Sequence, residues 1–133
     1  MLRKNAANLL TRESILLAFL DLLQTEEYSR ITITDITRRA GVSRNAYYRN
    51  YDSKEGILQA KMDELGEEIR ERYQARPEPS VQGLLECCFM VCGENGAFLH
   101  TLCKAGQESV IRDRLGRQLE KLLQEGPGQA GIL

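Results

Sequence analysis

The 133-residue sequence predicts an all-α protein. Apolar residues recur at the three- and four-residue spacing of an amphipathic helix along most of the chain. Residues that cap helices, among them Thr32, Ser43 and Ser80, stand immediately before several of these patterns. No alternating pattern bounded by hairpin turns is present, so the sequence predicts helices and no sheet.

The first predicted helix covers about residues 11–26. Ile15, Phe19 and Leu23 recur at a spacing of four, which places them on one face of a helix. Thr11 is the predicted N-cap, because its hydroxyl can accept a hydrogen bond from the first turn. A turn is expected at residues 29–31.

Two short helices are predicted next, joined by the turn Ala-Gly-Val-Ser. Thr32 and Asp35 have the spacing of a capping box and predict the start of the first short helix. Gly41 predicts its end, since glycine readily adopts the left-handed backbone that stops a helix. Ser43 is then placed to cap a second short helix over residues 44–50.

A longer helix is expected to follow these two. Asp52 and Glu55 form another pair with capping-box spacing, so we expect this helix to open near Ser53 and to run to about Tyr73. The segment at 75–80 then contains two prolines within three residues, which disfavour helix and stiffen the connection.

This proline-containing segment is the predicted boundary between two domains, residues 1–74 and residues 80–133. Ser80 is the predicted cap of the first helix of the second domain. One side of that helix is expected to be apolar and to carry Val81, Leu84, Leu85, Cys88, Phe89 and Cys92. A turn at 93–96 and an interruption at Gly106 separate the helices that follow.

The composition excludes several classes of protein. With 42% hydrophobic and 28% charged residues, it is typical of a soluble globular protein. No apolar run is long enough to cross a bilayer and no export signal is visible, so a cytoplasmic protein is expected. Residues 1–54 carry nine Lys or Arg and six Asp or Glu, whereas the rest of the chain is net acidic. This asymmetry favours contact between the first part and a polyanion.

The two short helices have the pattern of a helix-turn-helix, in which the second helix lies in the DNA major groove. That helix begins with Arg44 and Asn45, whose side chains can pair with guanine and adenine respectively. Thr34, Tyr48 and Lys54 lie on its flanks and are candidates for phosphate contacts. Lys54 falls in the first turn of the next helix, where free N–H groups also favour a phosphate.

The run from Thr32 to Leu58 resembles the DNA-binding domain of TetR/AcrR-type transcriptional repressors. It matches a motif of the form T-x-x-x-I-x-x-x-A-G-V-S-x-x-x-Y-Y-x-x-F/Y-x-x-K-x-x-L, and the resemblance covers about residues 10–73. The resemblance implies a homodimeric, cytoplasmic regulator that binds a palindromic operator in double-stranded DNA. It also implies a repressor that releases DNA when a small-molecule effector enters a helical C-terminal domain.

The same resemblance assigns roles to individual residues. It places Thr34, Arg44 and Asn45 in the DNA groove, and Tyr48 and Lys54 at phosphates. Nearby Tyr47 and Tyr51 are expected in the core, because adjacent positions on a short helix cannot all face DNA.

Residues 80–125 resemble, more loosely, the first helices of the family's C-terminal regulatory domain. The chain stops before the long helices that build the family's dimer interface, so we expect this region to be shortened or incomplete. Phe89, Cys92, Phe98 and Cys103 are the candidate ligand-binding residues. A regulator without effector control and a helical protein-interaction module remain as alternatives.

Four cysteines lie close together in the second half of the chain, and reduced thiols are expected for them. Cys88 and Cys92 are four residues apart, and His100 and Cys103 are three apart, which is a possible set of metal ligands. A thiol-based sensor is a second alternative. Core packing is favoured over both, because cysteine is among the most buried residue types. No cofactor or metal is therefore predicted.

Enzymatic activity is not expected. The sequence contains one histidine. It shows no Ser/His/Asp arrangement, no phosphate-binding loop and no pair of carboxylates at convincing catalytic spacing.

Overall fold

A computed structural model describes the backbone of residues 2–132 and the side chains of residues 6–125. The described residues form helices and no strand, which confirms the predicted all-α class. The helices are α1 (Leu2–Leu22), α2 (Ile33–Ala40), α3 (Arg44–Tyr48), α4 (Lys54–Gln74), α5 (Val81–Glu94), α6 (Gly96–Lys104) and α7 (Glu108–Ile132), with a 3-10 turn at Tyr28–Arg30.

The chain divides into two compact units, one ending at Leu58 and the other beginning at Gln59. This division falls inside α4, and the proline-containing segment at 75–80 connects α4 to α5 within the second unit. The domain boundary predicted at that segment stays a prediction.

The core of the first unit is built from one face of each of its helices. Ile15 and Phe19 of α1, Ile36 of α2 and Tyr47 of α3 are all fully buried. The α4 residues of this unit contribute through Ile57 and Leu58. Burial of a whole aromatic ring from the short helix α3 holds that helix against α1 and α2, since each such side chain contributes about 1.5–3 kcal/mol.

The turn between α2 and α3 has the predicted local structure. The Thr32 hydroxyl accepts from the Asp35 amide at 3.1 Å, and the Asp35 carboxylate accepts from the Thr32 amide at 2.9 Å, which confirms the capping box. Gly41 adopts the left-handed conformation, with φ 71° and ψ 31°. The Ser43 hydroxyl then accepts from the Ala46 amide at 3.0 Å and begins α3.

The bounds of two helices and the cap of a third differ from the predictions. Helix α1 covers Leu2–Leu22 and not residues 11–26. Thr11 therefore lies inside the helix and does not cap it, and its hydroxyl donates to the Ala7 carbonyl at 2.9 Å. Helix α3 ends at Tyr48, two residues early. Helix α4 begins at Lys54, close to the predicted start, but its cap is Ser53 and not Asp52, since the Ser53 hydroxyl accepts from the Gly56 amide at 3.2 Å.

Ion pairs join the helices of the second unit. Arg72 of α4 pairs with Glu94 of α5 at 2.6 Å and with Glu68 of its own helix at 2.7 Å. Arg76 pairs with Glu86 at 2.8 Å and ties the connecting segment to α5. These bridges are partly exposed, and each contributes little to stability on its own.

Helices α4 and α7 pack closely in the second unit. A Cβ placed on Gly66 would lie 3.1 Å from the Gln118 side chain, so the absence of a side chain allows this approach. Among the described residues, no helix is long and apolar enough to cross a membrane.

The buried face of α5 was predicted incorrectly in part. The buried residues are Gly83, Leu84, Cys87, Cys88 and Val91. Val81, Leu85 and Phe89, which were expected on the same apolar side, are exposed. Since α5 carries apolar residues around most of its circumference, the spacing alone did not identify the inward face.

Candidate nucleic-acid interface

The buried and exposed residues of α3 lie on different sides of the helix. Tyr47 is 0% exposed and Tyr51, just beyond the helix, is also buried, which confirms their predicted core positions. Arg44 and Asn45 are exposed, and Tyr48 is 46% exposed. Residues three and four positions apart share a side of a helix, so Tyr48 lies beside both Asn45 and Arg44, and the three form one polar face directed away from the core.

The Tyr47 ring contacts the rings of both other tyrosines and holds α3 in position. The rings of Tyr47 and Tyr48 meet edge to face with centroids 5.4 Å apart, and those of Tyr47 and Tyr51 are tilted at 5.8 Å. The Arg12 guanidinium of α1 lies 5.1 Å from the centroid of the Tyr51 ring. Such ring pairs add about 0.5–1.5 kcal/mol to the effect of burial, so the exposed face of α3 has rigid support.

One polar atom in this support has no partner. The Tyr47 hydroxyl is buried and makes no hydrogen bond to the described residues. Burial raises the pKa of Tyr47 well above the ordinary value for tyrosine, because the charged form would lose its hydration. The hydroxyl is therefore neutral throughout the physiological pH range.

A hydrogen bond links the first turns of α2 and α3. Arg44 Nη1 donates to the Thr34 hydroxyl at 3.3 Å, and Thr34 is half-buried near the start of α2. A guanidinium has five N–H donors, so Arg44 retains donors that can reach a base. This hydrogen bond directs the Arg44 side chain from the first turn of α3 toward the first turn of α2.

Lys54 is the first residue of α4, and its ammonium group contacts protein atoms on several sides. Nζ lies 2.5 Å from the Tyr28 carbonyl oxygen and 3.0 Å from that of Ile31. It also lies 4.4 Å from the centroid of the Tyr28 ring. Sequence reasoning missed these contacts, because the partners are 26 and 23 residues away and two of them are backbone atoms.

The charged groups around the helix-turn-helix include an internal pair. Arg39 of α2 hydrogen-bonds Asp21 of α1 and so ties the two helices together. Hydrogen bonds from Thr32 lower the pKa of Asp35, which keeps the cap carboxylate ionised. Arg38, Arg44 and Arg49 are exposed, so the surface around α3 is rich in positive charge.

The four predicted ligand-binding residues lie in different surroundings. Phe98 is buried and Cys92 is half-buried, whereas Cys103 is exposed and Phe89 is 77% exposed. Phe89 thus projects from α5 and does not line an enclosed cavity formed by the described residues. The role of the four in binding a ligand stays a prediction.

The cysteines of α5 are packed to different degrees. Cys87 and Cys88 are buried in the second unit, as core packing predicts. Burial raises the pKa of Cys88 and of Cys92, which disfavours the reactive thiolate. Among the described residues, no group of three or more His, Cys, Asp or Glu is arranged to hold a metal.

The N-terminal part of the chain is similar to a known protein family. Residues 15–60 match the family described as bacterial regulatory proteins, tetR family. The matched range contains α2, α3 and the beginning of α4, together with all five predicted DNA-binding residues.

Curated relatives extend the similarity beyond this range. The HTH-type transcriptional regulator AlkX of Mycobacterium tuberculosis is 33% identical over 81 residues, which are 61% of this chain and 38% of that protein. The uncharacterized HTH-type transcriptional regulator YxbF of Bacillus subtilis is 36% identical over 77 residues, 57% of this chain and 20% of the relative. The HTH-type transcriptional regulator CymR of Pseudomonas putida is 29% identical over 119 residues, 84% of this chain and 59% of that protein.

The chain therefore spans between 20% and 59% of the length of these relatives. No solved structure matches it.

Proposed function

We propose that this chain is a DNA-binding transcriptional regulator of the cytoplasm, because residues 15–60 match the family described as bacterial regulatory proteins, tetR family. The observation that supports this most directly is the exposed polar face of α3. Arg44 and Asn45 project from the first turn of a helix whose opposite side is held by the buried Tyr47. A recognition helix needs this combination of free base-reading groups and a rigid support.

Each residue of the face has a chemical role in the proposal. Arg44 pairs with a guanine through two guanidinium donors, and Asn45 pairs with an adenine through its amide. The Tyr48 hydroxyl donates to a phosphate and sets the register of the helix on the duplex. Thr34 lies at the groove and orients Arg44 through the hydrogen bond at 3.3 Å.

The proposal includes a homodimer on a palindromic operator. Helix α3 has five residues, so one copy can read only a few base pairs. Two copies related by a two-fold axis double the contacts and require half-sites about one helical turn apart, ~34–36 Å. A dimer that occupies such a site blocks access to the DNA beneath it, which is the physical basis of the proposed repressor role.

Selection of bound duplexes from a random DNA pool tests whether α3 recognises a particular base sequence. We expect enrichment of two inverted half-sites about 10 base pairs apart, centre to centre. A pool with no enriched sequence would contradict base reading by α3. An enriched site without inverted symmetry would contradict the palindrome.

A salt series on the selected site tests DNA binding itself. The logarithm of the affinity should fall linearly with the logarithm of salt concentration, with a slope of about −0.9 per neutralised phosphate. A flat response would contradict the proposal and favour a helical protein-interaction module.

We also propose that a small-molecule effector controls release from DNA, with buried Phe98 and half-buried Cys92 near its site. Screening small molecules for loss of the DNA complex tests this part. Binding that persists with every compound would favour a regulator without effector control. Variants Phe98→Leu and Phe89→Leu provide a matched pair, because only the first changes a buried ring.

A further inference from the structure

We propose that Lys54 is a positioning residue, whose ammonium group holds the start of α2 beside the start of α4, and that it does not serve as a phosphate contact. The inference rests on the proposed DNA-binding function, since the position of α2 matters for the site that α3 presents. It departs from the role that the family resemblance implies for this lysine.

The ammonium group is directed toward the protein. It donates to two carbonyl oxygens, at 2.5 Å to Tyr28 and 3.0 Å to Ile31, and it lies over the face of the Tyr28 ring, 4.4 Å from the ring centroid. A charged donor forms stronger hydrogen bonds than a neutral one, and the ring face attracts a cation. A phosphate would have to compete with these partners for the ammonium group.

The partners connect three elements of the first unit. The Tyr28 ring also packs against the Phe19 ring of α1, with centroids 5.9 Å apart. Tyr28 begins the 3-10 turn, and Lys54 begins α4. The lysine therefore joins α4 to the turn and, through the tyrosine ring, to the buried face of α1.

The contact with Ile31 transmits this position to the helix-turn-helix. Ile31 is buried and immediately precedes Thr32, the N-cap of α2. Helix α2 leads through Gly41 directly into α3. Holding the Ile31 carbonyl in place therefore holds the first residues of α2 in place. Because α3 follows α2 after a short turn, the orientation of α3 in the first unit depends on the same contact.

Two variants separate positioning from phosphate contact. Lys54→Met keeps the aliphatic stem and removes every donor, and Lys54→Gln removes the charge but keeps donors for the carbonyls. Lys61→Met is the matched control, because Lys61 also lies on α4 and its ion pair within the described part of the chain is with the exposed Glu64, at 3.5 Å. Thermal unfolding is measured without DNA, and affinity is measured over a salt series with the selected operator.

Positioning predicts that Lys54→Met lowers Tm by roughly 5–10 °C, that Lys54→Gln lowers it less and that Lys61→Met leaves it within about 2 °C. Lys54→Gln should weaken DNA binding equally at all salt concentrations, with the same salt slope as Lys61→Met. A slope smaller by about 0.9 per bound copy than that of the control would show a lost phosphate contact and overturn the proposal. An unchanged Tm in Lys54→Met would also overturn it.

These outcomes are distinct from a failure of the proposed function. If wild-type protein shows no salt-dependent DNA binding, the regulator assignment fails whatever the variants do. The Tm comparison requires no DNA and still decides whether Lys54 holds the turn and α2 in place.

Discussion

Replacing Tyr47 by phenylalanine removes one oxygen atom from the core beneath α3 and leaves its ring contacts in place. The ring is 0% exposed, and its hydroxyl has no hydrogen-bond partner among the described residues. A buried polar group without a partner costs about 1–3 kcal/mol, because it has lost its hydrogen bonds to water. We therefore expect Tyr47→Phe to increase the free energy of unfolding.

The size of the gain follows from two opposing effects. Removing the unsatisfied hydroxyl stabilises the folded state by at least about 1 kcal/mol. The vacated space, ~10 Å³, costs about 0.2 kcal/mol in lost packing. The net gain is about 1 kcal/mol, which corresponds to a rise in Tm of about 3–6 °C for a chain of this size.

Urea denaturation followed by circular dichroism measures this change. Tyr48→Phe is the control, because the Tyr48 side chain is 46% exposed and loses a hydroxyl that water already solvates. The control should change the free energy of unfolding by less than about 0.5 kcal/mol. If Tyr47→Phe instead destabilises the protein by more than this, the hydroxyl has a partner in solution, such as a buried water, and the reasoning is refuted.

Three further predictions concern pH, backbone conformation and DNA. Since burial raises the pKa of Tyr47, the free energy of unfolding should fall above about pH 10, where tyrosine ionises in the unfolded chain. Between pH 9 and pH 11, Tyr47→Phe should lose about 1 kcal/mol less of this free energy than the wild type. Identical curves of stability against pH would contradict this prediction. Gly41→Ala should lower the free energy of unfolding by about 1–2 kcal/mol in urea titrations, because φ is +71° and alanine is strained in this left-handed conformation even though no atom lies near the new Cβ. Gly116→Ala on α7 should raise the free energy of unfolding by up to about 1 kcal/mol, because alanine favours the helix more than glycine does. Equal effects of the two alanines would contradict the role of the left-handed turn. Arg44→Ala should relax base preference in a selection experiment by about 1–3 kcal/mol at one position, and an unchanged preference would exclude base reading.

The parts of the fold that the sequence predicts well depend on neighbours along the chain. The Thr32–Asp35 capping box, the Gly41 turn and the Ser43 cap each need only a few consecutive residues, and all three are confirmed. The same holds for the burial of Tyr47, because a five-residue helix leaves few positions for an inward ring.

The parts that the sequence predicts poorly depend on contacts between distant segments or on a choice between equivalent residues. Lys54 reaches backbone carbonyls more than 20 residues away, and carbonyls carry no side-chain identity that a pattern can reveal. Asp52 and Ser53 are both good capping residues, so spacing did not choose between them. The DNA-contacting roles of the exposed residues still stand as predictions.

The apolar side chains exposed on α5 have a consequence for the behaviour of the chain in different salts. Val81, Leu85 and Phe89 follow one another at four-residue intervals and are all at least half exposed. Sulfate and phosphate salts strengthen the association of apolar surfaces, whereas chloride at moderate concentration mainly screens charge. Ammonium sulfate should therefore promote self-association through α5, and it should also weaken DNA binding because it screens charge. A chloride series should weaken DNA binding without promoting self-association, so comparison of the two salts separates these effects.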